Sequence, residues 1–171
     1  LVEHILQRIH PSFDGTIVDM GTGSGAILAA LCSSLPSSSG IGVDQSENAL
    51  SLASENLKAL NLMSRTELRQ LDWSVQKVRE EGVGLIVSNP PYLKLDEWEY
   101  AEIEVKKHDP KVALVAEENG FSELRKIIRI SNEILSSGGM LALEFGASHA
   151  DLITEALSSE FENVEILKDL S

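Results

Sequence analysis

The sequence predicts an α/β fold built on a mostly parallel, doubly wound sheet with helices on both faces. Short runs rich in β-branched and apolar residues alternate along the chain with segments whose apolar residues recur at the helical period. Residues 85–87 are apolar throughout, as a central parallel strand buried on both faces requires. Each of the first two predicted strands leads through a short turn into a helical segment, which is the repeated unit of a parallel sheet.

The elements follow one another as strand and helix in a single predicted domain, residues 1–171. The strands are bounded by turn-forming residues, and the helix before the fifth strand is expected to end at a serine and glycine run, residues 136–139. The predicted strands are residues 16–20, 40–44, 66–71, 83–88, 139–145 and 164–167. The predicted helices are residues 26–35, 47–60, 75–80, 121–135 and 147–157.

Composition narrows the possible functions. The chain is 43% hydrophobic, yet no apolar run approaches the roughly 20 residues that cross a bilayer, so no membrane association is predicted. The net charge of −13 disfavours a broad nucleic-acid surface, which is normally basic. The single Cys32 lies in an apolar helical pattern and is predicted to be buried, which fits a reducing compartment. Four scattered histidines lack metal-ligand spacing, so no metal is expected.

A glycine-rich turn follows the first predicted strand in "VDMGTGSGAI", residues 18–27. Gly21, Gly23 and Gly25 let the backbone turn sharply, and the N–H groups that open the next helix can face a ligand. An ordinary tight turn explains the glycines equally well. Gly21, Gly23 and Ala26 also satisfy the dinucleotide-binding pattern, so the motif alone leaves the ligand open.

Acidic and aromatic residues stand at the ends of the next two strands. Asp44 lies about 20 residues beyond the glycine turn, where an acidic residue binds ribose hydroxyls, although it could instead cap the helix that begins near Ser46. Asp72 can accept from an exocyclic amine, and Trp73 can pack on an adenine ring or simply in the core. Together these strand ends predict an adenosine site.

The fourth strand leaves the core through Asn89-Pro90-Pro91-Tyr92. Proline fixes φ, and Pro91 confines Pro90 to an extended conformation, so the Asn89 side-chain oxygen and the Pro90 carbonyl are held rigidly. Both can accept from one planar NH₂ group, with Tyr92 as an aromatic wall. A proline turn that begins at an asparagine is the plainer interpretation of these residues.

In order along the chain, "LVEHIL", "VDMGTGSGAI", "LDW", "LIVSNPPYL", "DPKVAL", "ENGF" and "GGMLALEFG" resemble the motifs of the release-factor glutamine methyltransferases. The resemblance runs across nearly the whole chain. It implies a Rossmann-like class I methyltransferase fold that uses S-adenosyl-L-methionine to methylate the side-chain amide of a glutamine in a peptide chain release factor. It also implies that a recognition domain before Leu1 and the final strand of the sheet are missing here. A cytoplasmic protein, or a mitochondrial one in a eukaryote, and a monomer are expected.

The same resemblance implies a role for each site residue. The glycine turn would cradle the methionine part of the cofactor with Asp19 near its ammonium group, Asp44 would hold the ribose, and Asp72 and Trp73 would hold the adenine. The cofactor-binding set is Asp19, Gly21, Thr22, Gly23, Ser24, Gly25, Asp44, Asp72, Trp73 and Asn89. The substrate-binding set is Asn89, Pro90, Pro91 and Tyr92, of which Asn89, Pro90 and Tyr92 are the catalytic candidates.

Two other functions use the same residues. A nucleic-acid methyltransferase would present an adenine or guanine amine to Asn89, and it would need a basic path to that residue. The lysines of residues 94–107 are diluted by five carboxylates, which argues against nucleic acid as the substrate. The second is a catalytically silent module that binds the cofactor or a partner without methyl transfer.

Overall fold

A computed structural model describes residues 1–73, 80, 82–90 and 121–168. The strands in this part of the chain are β1 (Thr16–Met20), β2 (Ser39–Asp44), β3 (Thr66–Gln70), β4 (Val83–Ser88) and β5 (Leu135–Leu143). The helices are α1 (Val2–Leu6), α2 (Ala26–Ser34), α3 (Glu47–Ala59), α4 (Ser122–Ile134) and α5 (Ala150–Ser158), and a short 3-10 helix, Ala147–His149, precedes α5.

The five strands form one parallel sheet in the order β3-β2-β1-β4-β5. The chain runs outward from β1 to β3 and then returns to place β4 on the other side of β1. This reversal of strand order confirms the predicted doubly wound α/β fold. It also puts a crevice outside the carboxyl ends of β1 and β4, which is where ligands bind in open sheets of this kind.

The sequence predicted most of these elements closely. The ends of β1 to β4, and of α2, α3 and α4, all lie within one residue of the predicted ends. The predicted helix 147–157 divides into the 3-10 turn and α5. The predicted helix 75–80 falls almost wholly outside the described residues. The five-residue helix α1 was not predicted, because so short a segment shows too little of the helical period.

The fifth strand begins at Leu135, earlier than predicted, and contains an irregularity. Val83 pairs with Leu135 and Leu85 pairs with Met140. Between these two pairs β4 has one residue, whereas β5 has residues 136–139. Gly138 lies in this bulge with φ of 78°. The glycine run therefore changes the direction of β5 at the bulge, because glycine adopts positive φ without steric cost.

The predicted sixth strand, residues 164–167, is wrong. This segment has no regular secondary structure, and Ile166 and Leu167 are 43% and 47% exposed. A β-branched, apolar run forms a strand only where another strand supplies its hydrogen bonds, and none of the described strands pairs with this segment. Composition alone does not reveal whether that partner is present.

The described residues form two compact units. The first contains residues 1–73, 80, 82–89 and 133–144, and therefore the whole sheet with α1, α2 and α3. The second contains Pro90, residues 121–132 and residues 145–168, and therefore most of α4 and all of α5. Within the second unit, four of the five buried residues of α4 recur at the helical period of one inward face, and the fifth is Ile130. The four are Leu124, Ile127, Ile128 and Ser131.

The core of the first unit is an apolar cluster shared by α1, α2, α3 and the central strands. A Cβ on Gly40 of β2 would lie only 2.7 Å from Cys32 Sγ and 2.9 Å from Leu28 Cδ1, so α2 lies directly on the sheet. The burial predicted for Cys32 is confirmed, and it raises the pKa of the thiol. The cluster consists of Ile5, Ile17, Leu28, Ala29, Leu31, Cys32, Leu35, Leu57, Leu62, Leu85 and Val87.

Candidate functional site

The turn after β1 is built as the glycines predicted. Gly21, Gly23 and Gly25 all have positive φ, at 77°, 54° and 75°. Among the described residues, a Cβ on Gly21 would meet nothing closer than a Trp73 ring carbon at 3.6 Å, and one on Gly23 nothing closer than the Gly21 carbonyl oxygen at 4.0 Å. The turn therefore presents bare backbone to open space, where a ligand can approach closely.

Gly25 differs from the other two glycines because it is buried against a neighbouring helix. A Cβ on Gly25 would lie 3.1 Å from the Ala53 Cβ of α3. Gly25 is also the residue that precedes the first turn of α2. Its small size therefore allows α2 and α3 to pack closely, and its predicted contact with the cofactor stays a prediction.

The backbone donors of the turn are largely used inside the protein. Gly21 and Thr22 both donate to the Val43 carbonyl at 2.8 and 3.0 Å, and Gly25 donates to the Thr22 carbonyl at 2.8 Å. Gly23 donates to the Asp44 carboxylate at 2.9 Å. The prediction that the N–H groups opening α2 can face a ligand concerns other residues and stays a prediction. The N–H groups of these four turn residues already have acceptors within the protein. A pyrophosphate-binding turn needs such donors free, so the dinucleotide interpretation loses support.

Asp44 joins the turns that follow β1 and β2. Its Oδ2 accepts from Gly23 N–H and its Oδ1 from Ser46 N–H, both at 2.9 Å. The helix cap that was an alternative role for Asp44 belongs to Ser46, whose hydroxyl accepts from Ala49 N–H at 3.3 Å. A carboxylate oxygen accepts more than one hydrogen bond, so half-buried Asp44 keeps acceptor capacity on its open side.

The Asp19 carboxyl lies inside the protein beneath the glycine turn. It is 0% exposed, and its Oδ2 accepts from the Thr22 hydroxyl at 2.8 Å. Burial raises the pKa of Asp19 to about 6; the Thr22 hydroxyl and the Leu28 backbone N–H oppose this shift, and the Asp44 charge adds to it. A ligand's ammonium group cannot touch this carboxyl while it is buried, so the geometry favours a structural role over the predicted contact.

The end of β3 lies next to the turns that follow β1 and β2. Leu71 N–H donates to the Asp44 carbonyl at 3.0 Å, and the Gln70 side-chain amide donates to the Gln45 carbonyl at 3.1 Å. Asp72 and Trp73 are half-buried, and the indole ring of Trp73 lies beside Gly21. The structure therefore brings together the glycine turn, the candidate ribose ligand and the candidate adenine-stacking ring.

Ser88 hydrogen-bonds the end of β4 to residues of both neighbouring strands. The buried Ser88 hydroxyl donates to the Met20 carbonyl at 2.5 Å, and the Ser88 carbonyl accepts from Glu144 N–H at 3.0 Å. Met20 pairs with Ser88 in the sheet, so Gly21 and Asn89 emerge next to each other from adjacent strands. The Ser88 hydroxyl was missed by sequence reasoning because a serine within an apolar run carries no functional pattern.

The Asn89 side chain is exposed and makes no hydrogen bond to the described part of the chain. Its amide oxygen is therefore available at the crevice. Pro90 is buried. Pro91 and Tyr92 lie outside the described residues, as does the acidic and lysine-containing segment that follows them.

Ser24 is the remaining residue of the predicted cofactor set. Its carbonyl accepts from the Asn56 side-chain amide of α3 at 2.9 Å, which ties the turn to that helix. No group of three metal-ligating side chains gathers within residues 1–73, 80, 82–90 and 121–168. Nor does any helix in that part of the chain have the length and apolar character to cross a membrane.

The model of the methyltransferase small domain family matches residues 1–106. Among curated relatives, the release factor glutamine methyltransferase of Enterococcus faecalis is 35% identical over 173 aligned residues, which cover 100% of this chain and 61% of that protein. The protein of the same name from Aliivibrio fischeri is 40% identical over 146 residues, covering 85% of this chain and 50% of that protein.

Solved structures share the fold at lower identity. An S-adenosylmethionine-dependent O-methyltransferase from Thermotoga maritima superposes with a TM-score of 0.67 at 18% identity, covering 92% of this chain and 48% of that one. A precorrin-6y C5,15-methyltransferase from Geobacter metallireducens gives a TM-score of 0.65 at 14% identity, covering 93% of this chain and 69% of that one.

The strand order and the solved structures define the Rossmann-like fold of class I methyltransferases. The chain belongs to the methyltransferase small domain family. It spans 50% to 61% of the length of the two curated relatives described above.

Proposed function

We propose that residues 1–171 form the catalytic domain of a protein-glutamine N-methyltransferase that uses S-adenosyl-L-methionine. The acceptor is the side-chain amide of a glutamine in a peptide chain release factor. The observation that carries the proposal is the crevice between β1 and β4, where the bare glycine turn with Asp44 stands beside the exposed Asn89 amide. The names of relatives at 35% and 40% identity support the acceptor.

The residues of the cofactor side fit S-adenosylmethionine better than a dinucleotide. S-adenosylmethionine has ribose hydroxyls and an adenine ring but no phosphate, so it does not need the turn N–H groups that Val43 and Asp44 already occupy. Asp44 keeps acceptor capacity for ribose hydroxyls. The open space over Gly21 and Gly23, bounded by Trp73, admits the ligand close to the backbone.

On the acceptor side, the chain must orient an amide nitrogen whose lone pair is delocalised into its carbonyl. The cofactor supplies an electrophilic methyl group when it is bound. Asn89 Oδ1 and the Pro90 carbonyl are proposed to accept from the two N–H bonds of the substrate amide, and Tyr92 to pack against its plane. Catalysis then depends on positioning and on fixed dipoles.

The test uses the full-length protein, a release factor and methyl-labelled cofactor, with mass spectrometry of the peptides to locate the label. We expect the label on a glutamine side chain of the release factor and none on DNA or RNA. Asn89→Ala should lower the transfer rate about 10²–10³-fold, because it removes one oriented acceptor from the site. Its melting temperature should change little, since the Asn89 side chain is exposed.

Asn48→Ala is the matched control, because Asn48 is also an exposed asparagine but lies on α3. It should transfer methyl groups at the wild-type rate. Equal labelling of nucleic acid would contradict glutamine as the acceptor. Cofactor binding without transfer to either substrate would identify a silent module, and an unimpaired Asn89→Ala variant would remove Asn89 from the mechanism.

A further inference from the structure

Thr22 is the most firmly held residue of the glycine turn. Its side chain is 6% exposed, and its hydroxyl donates to Asp19 Oδ2 at 2.8 Å. Its backbone N–H donates to the Val43 carbonyl at 3.0 Å, and its carbonyl accepts from Gly25 N–H at 2.8 Å. Three different groups of Thr22 therefore fix the turn to β1, to β2 and to the start of α2.

The adjoining strand leaves space for this side chain. A Cβ on Gly42 of β2 would lie 2.7 Å from Leu68 Cδ2 of β3, 3.0 Å from Thr22 Oγ1 and 3.1 Å from Thr22 Cγ2. Contacts this short require the neighbour to move. Gly42 has no side chain at the place where Thr22 lies over the sheet, so a substitution there would push against both Thr22 and Leu68.

The position of Thr22 sets that of the next residue, Gly23. The N–H of Gly23 donates to Asp44 Oδ2 at 2.9 Å, and Asp44 is the ribose ligand of the proposed function. Asp19, by contrast, is fully buried, and its hydrogen bond is directed to Thr22. The hydrogen bond from the Thr22 hydroxyl thus links the buried Asp19 carboxyl to the glycine turn.

We propose that Asp19 is a positioning residue that acts through the Thr22 hydroxyl, and that Thr22, lying over Gly42, holds Gly23 in place for Asp44. This inference rests on the proposed function, because Asp44 is the cofactor ligand there. It assigns Asp19 no contact with the cofactor's ammonium group. It also makes the Thr22 hydroxyl and the absence of a side chain at Gly42 requirements for tight cofactor binding.

Calorimetry with S-adenosylmethionine and the full-length protein distinguishes a positioning role of Asp19 from a direct contact with the cofactor's ammonium group. Thr22→Val removes the hydroxyl at nearly constant volume and should weaken binding by about ten-fold or more, the effect of one hydrogen bond to a charged group. Thr22→Ser keeps the hydroxyl and Asp19→Asn keeps an acceptor oxygen, so both should bind within about three-fold of wild type. If Asp19 instead contacted the cofactor's ammonium group directly, Asp19→Asn would bind the cofactor more weakly than either Thr22 variant.

Gly42→Ala perturbs the contact between β2 and Thr22 from the β2 side. It keeps the inference testable if the Thr22→Val variant does not fold. It should also weaken binding. Gly84→Ala is its matched control, because Gly84 is a strand glycine whose Cβ would meet only the Phe13 ring and Gly15, away from the turn. Gly84→Ala should lower the melting temperature without changing cofactor affinity.

The outcomes distinguish this inference from the proposed function. A wild-type protein that does not bind S-adenosylmethionine overturns the proposed cofactor and the inference with it. A wild type that binds, together with Thr22→Val and Gly42→Ala variants that bind equally well, overturns the inference alone. Loss of affinity in Thr22→Val that Thr22→Ser does not share supports it.

Discussion

Asp19 is a carboxyl that the fold keeps out of water. Because burial raises the pKa of Asp19 from 3.8 to about 6, the folded protein binds more protons than the unfolded chain between these two values. The unfolding free energy therefore loses the Asp19 contribution progressively as pH rises from about 4 to 6. Ionised Asp19 weakens the fold at neutral pH, although its hydrogen bond from Thr22 offsets part of this effect.

Asp19→Asn should remove this pH dependence. The variant's unfolding free energy relative to wild type should rise between about pH 4 and pH 7 by up to about 3 kcal/mol, the equivalent of the pKa difference. Denaturant titrations at a series of pH values measure it, with Asp14→Asn as the control because Asp14 is exposed. A difference between Asp19→Asn and wild type that does not vary with pH would contradict the burial argument.

Residue types in the sequence named the candidate site residues, and the fold shows the surroundings of several of them. Asp44 was identified from its distance to the glycine turn, yet its hydrogen bonds to Gly23 and Ser46 became visible only in the fold. Gly25 was placed with the ligand-facing glycines and in fact contacts Ala53. Gly42 carried no signal at all, because a glycine in a strand does not reveal which side chain occupies the space above it.

At the scale of secondary-structure elements, the close approach of α2 and α3 depends on Gly25. Positive φ and a neighbour at 3.1 Å both oppose a larger residue there. The same residue ends the glycine turn, so the helix pair and the candidate cofactor site share one structural support.

Gly25→Ala should destabilise the fold more than Gly138→Ala. Both glycines have positive φ, at 75° and 78°, but a Cβ on Gly138 would meet nothing within 4 Å. Gly138→Ala should therefore show only the backbone strain, about 1 kcal/mol, while Gly25→Ala adds overpacking of about 1–3 kcal/mol. Denaturant unfolding of both variants measures the difference, and equal losses would mean that α3 moves aside without strain.

The elements themselves were largely predictable because each carries its own local pattern. The strand β4 and the helix α3 have periods and boundaries that short-range sequence determines. The bulge in β5 and the failure of residues 164–167 to form a strand depend on pairing with distant segments. Sequence patterns describe the tendency of a segment to pair and not the presence of its partner.

At the scale of the whole molecule, the central strands of the sheet contrast with residues 164–167, which form none of the described strands. Residues 85–87 of β4 are fully buried between β1 and β5, whereas Ile166 and Leu167 are about half exposed. Amides in exposed segments without regular secondary structure exchange with solvent more readily than amides of a buried strand.

Hydrogen exchange on the 171-residue chain should reflect this contrast. Amides of residues 85–88 should exchange only on global unfolding, and amides of residues 164–167, which lie outside the described strands, should exchange much faster. Mass spectrometry of overlapping peptides, with β1 as a second protected reference, measures both. Strong protection of residues 164–167, equal to that of β4, would show that this segment has a pairing partner.

The bond from the Ser88 hydroxyl to the Met20 carbonyl joins residues 68 positions apart. Closing so large a loop has an entropic cost that local contacts do not offset, and such long-range pairings slow folding. During synthesis, the glycine turn, Asp44 and Trp73 all leave the ribosome before β4 does. The half of the crevice that contains the glycine turn can therefore begin to take shape while Asn89 is still inside the ribosome, and the complete crevice exists only after β4 has inserted beside β1.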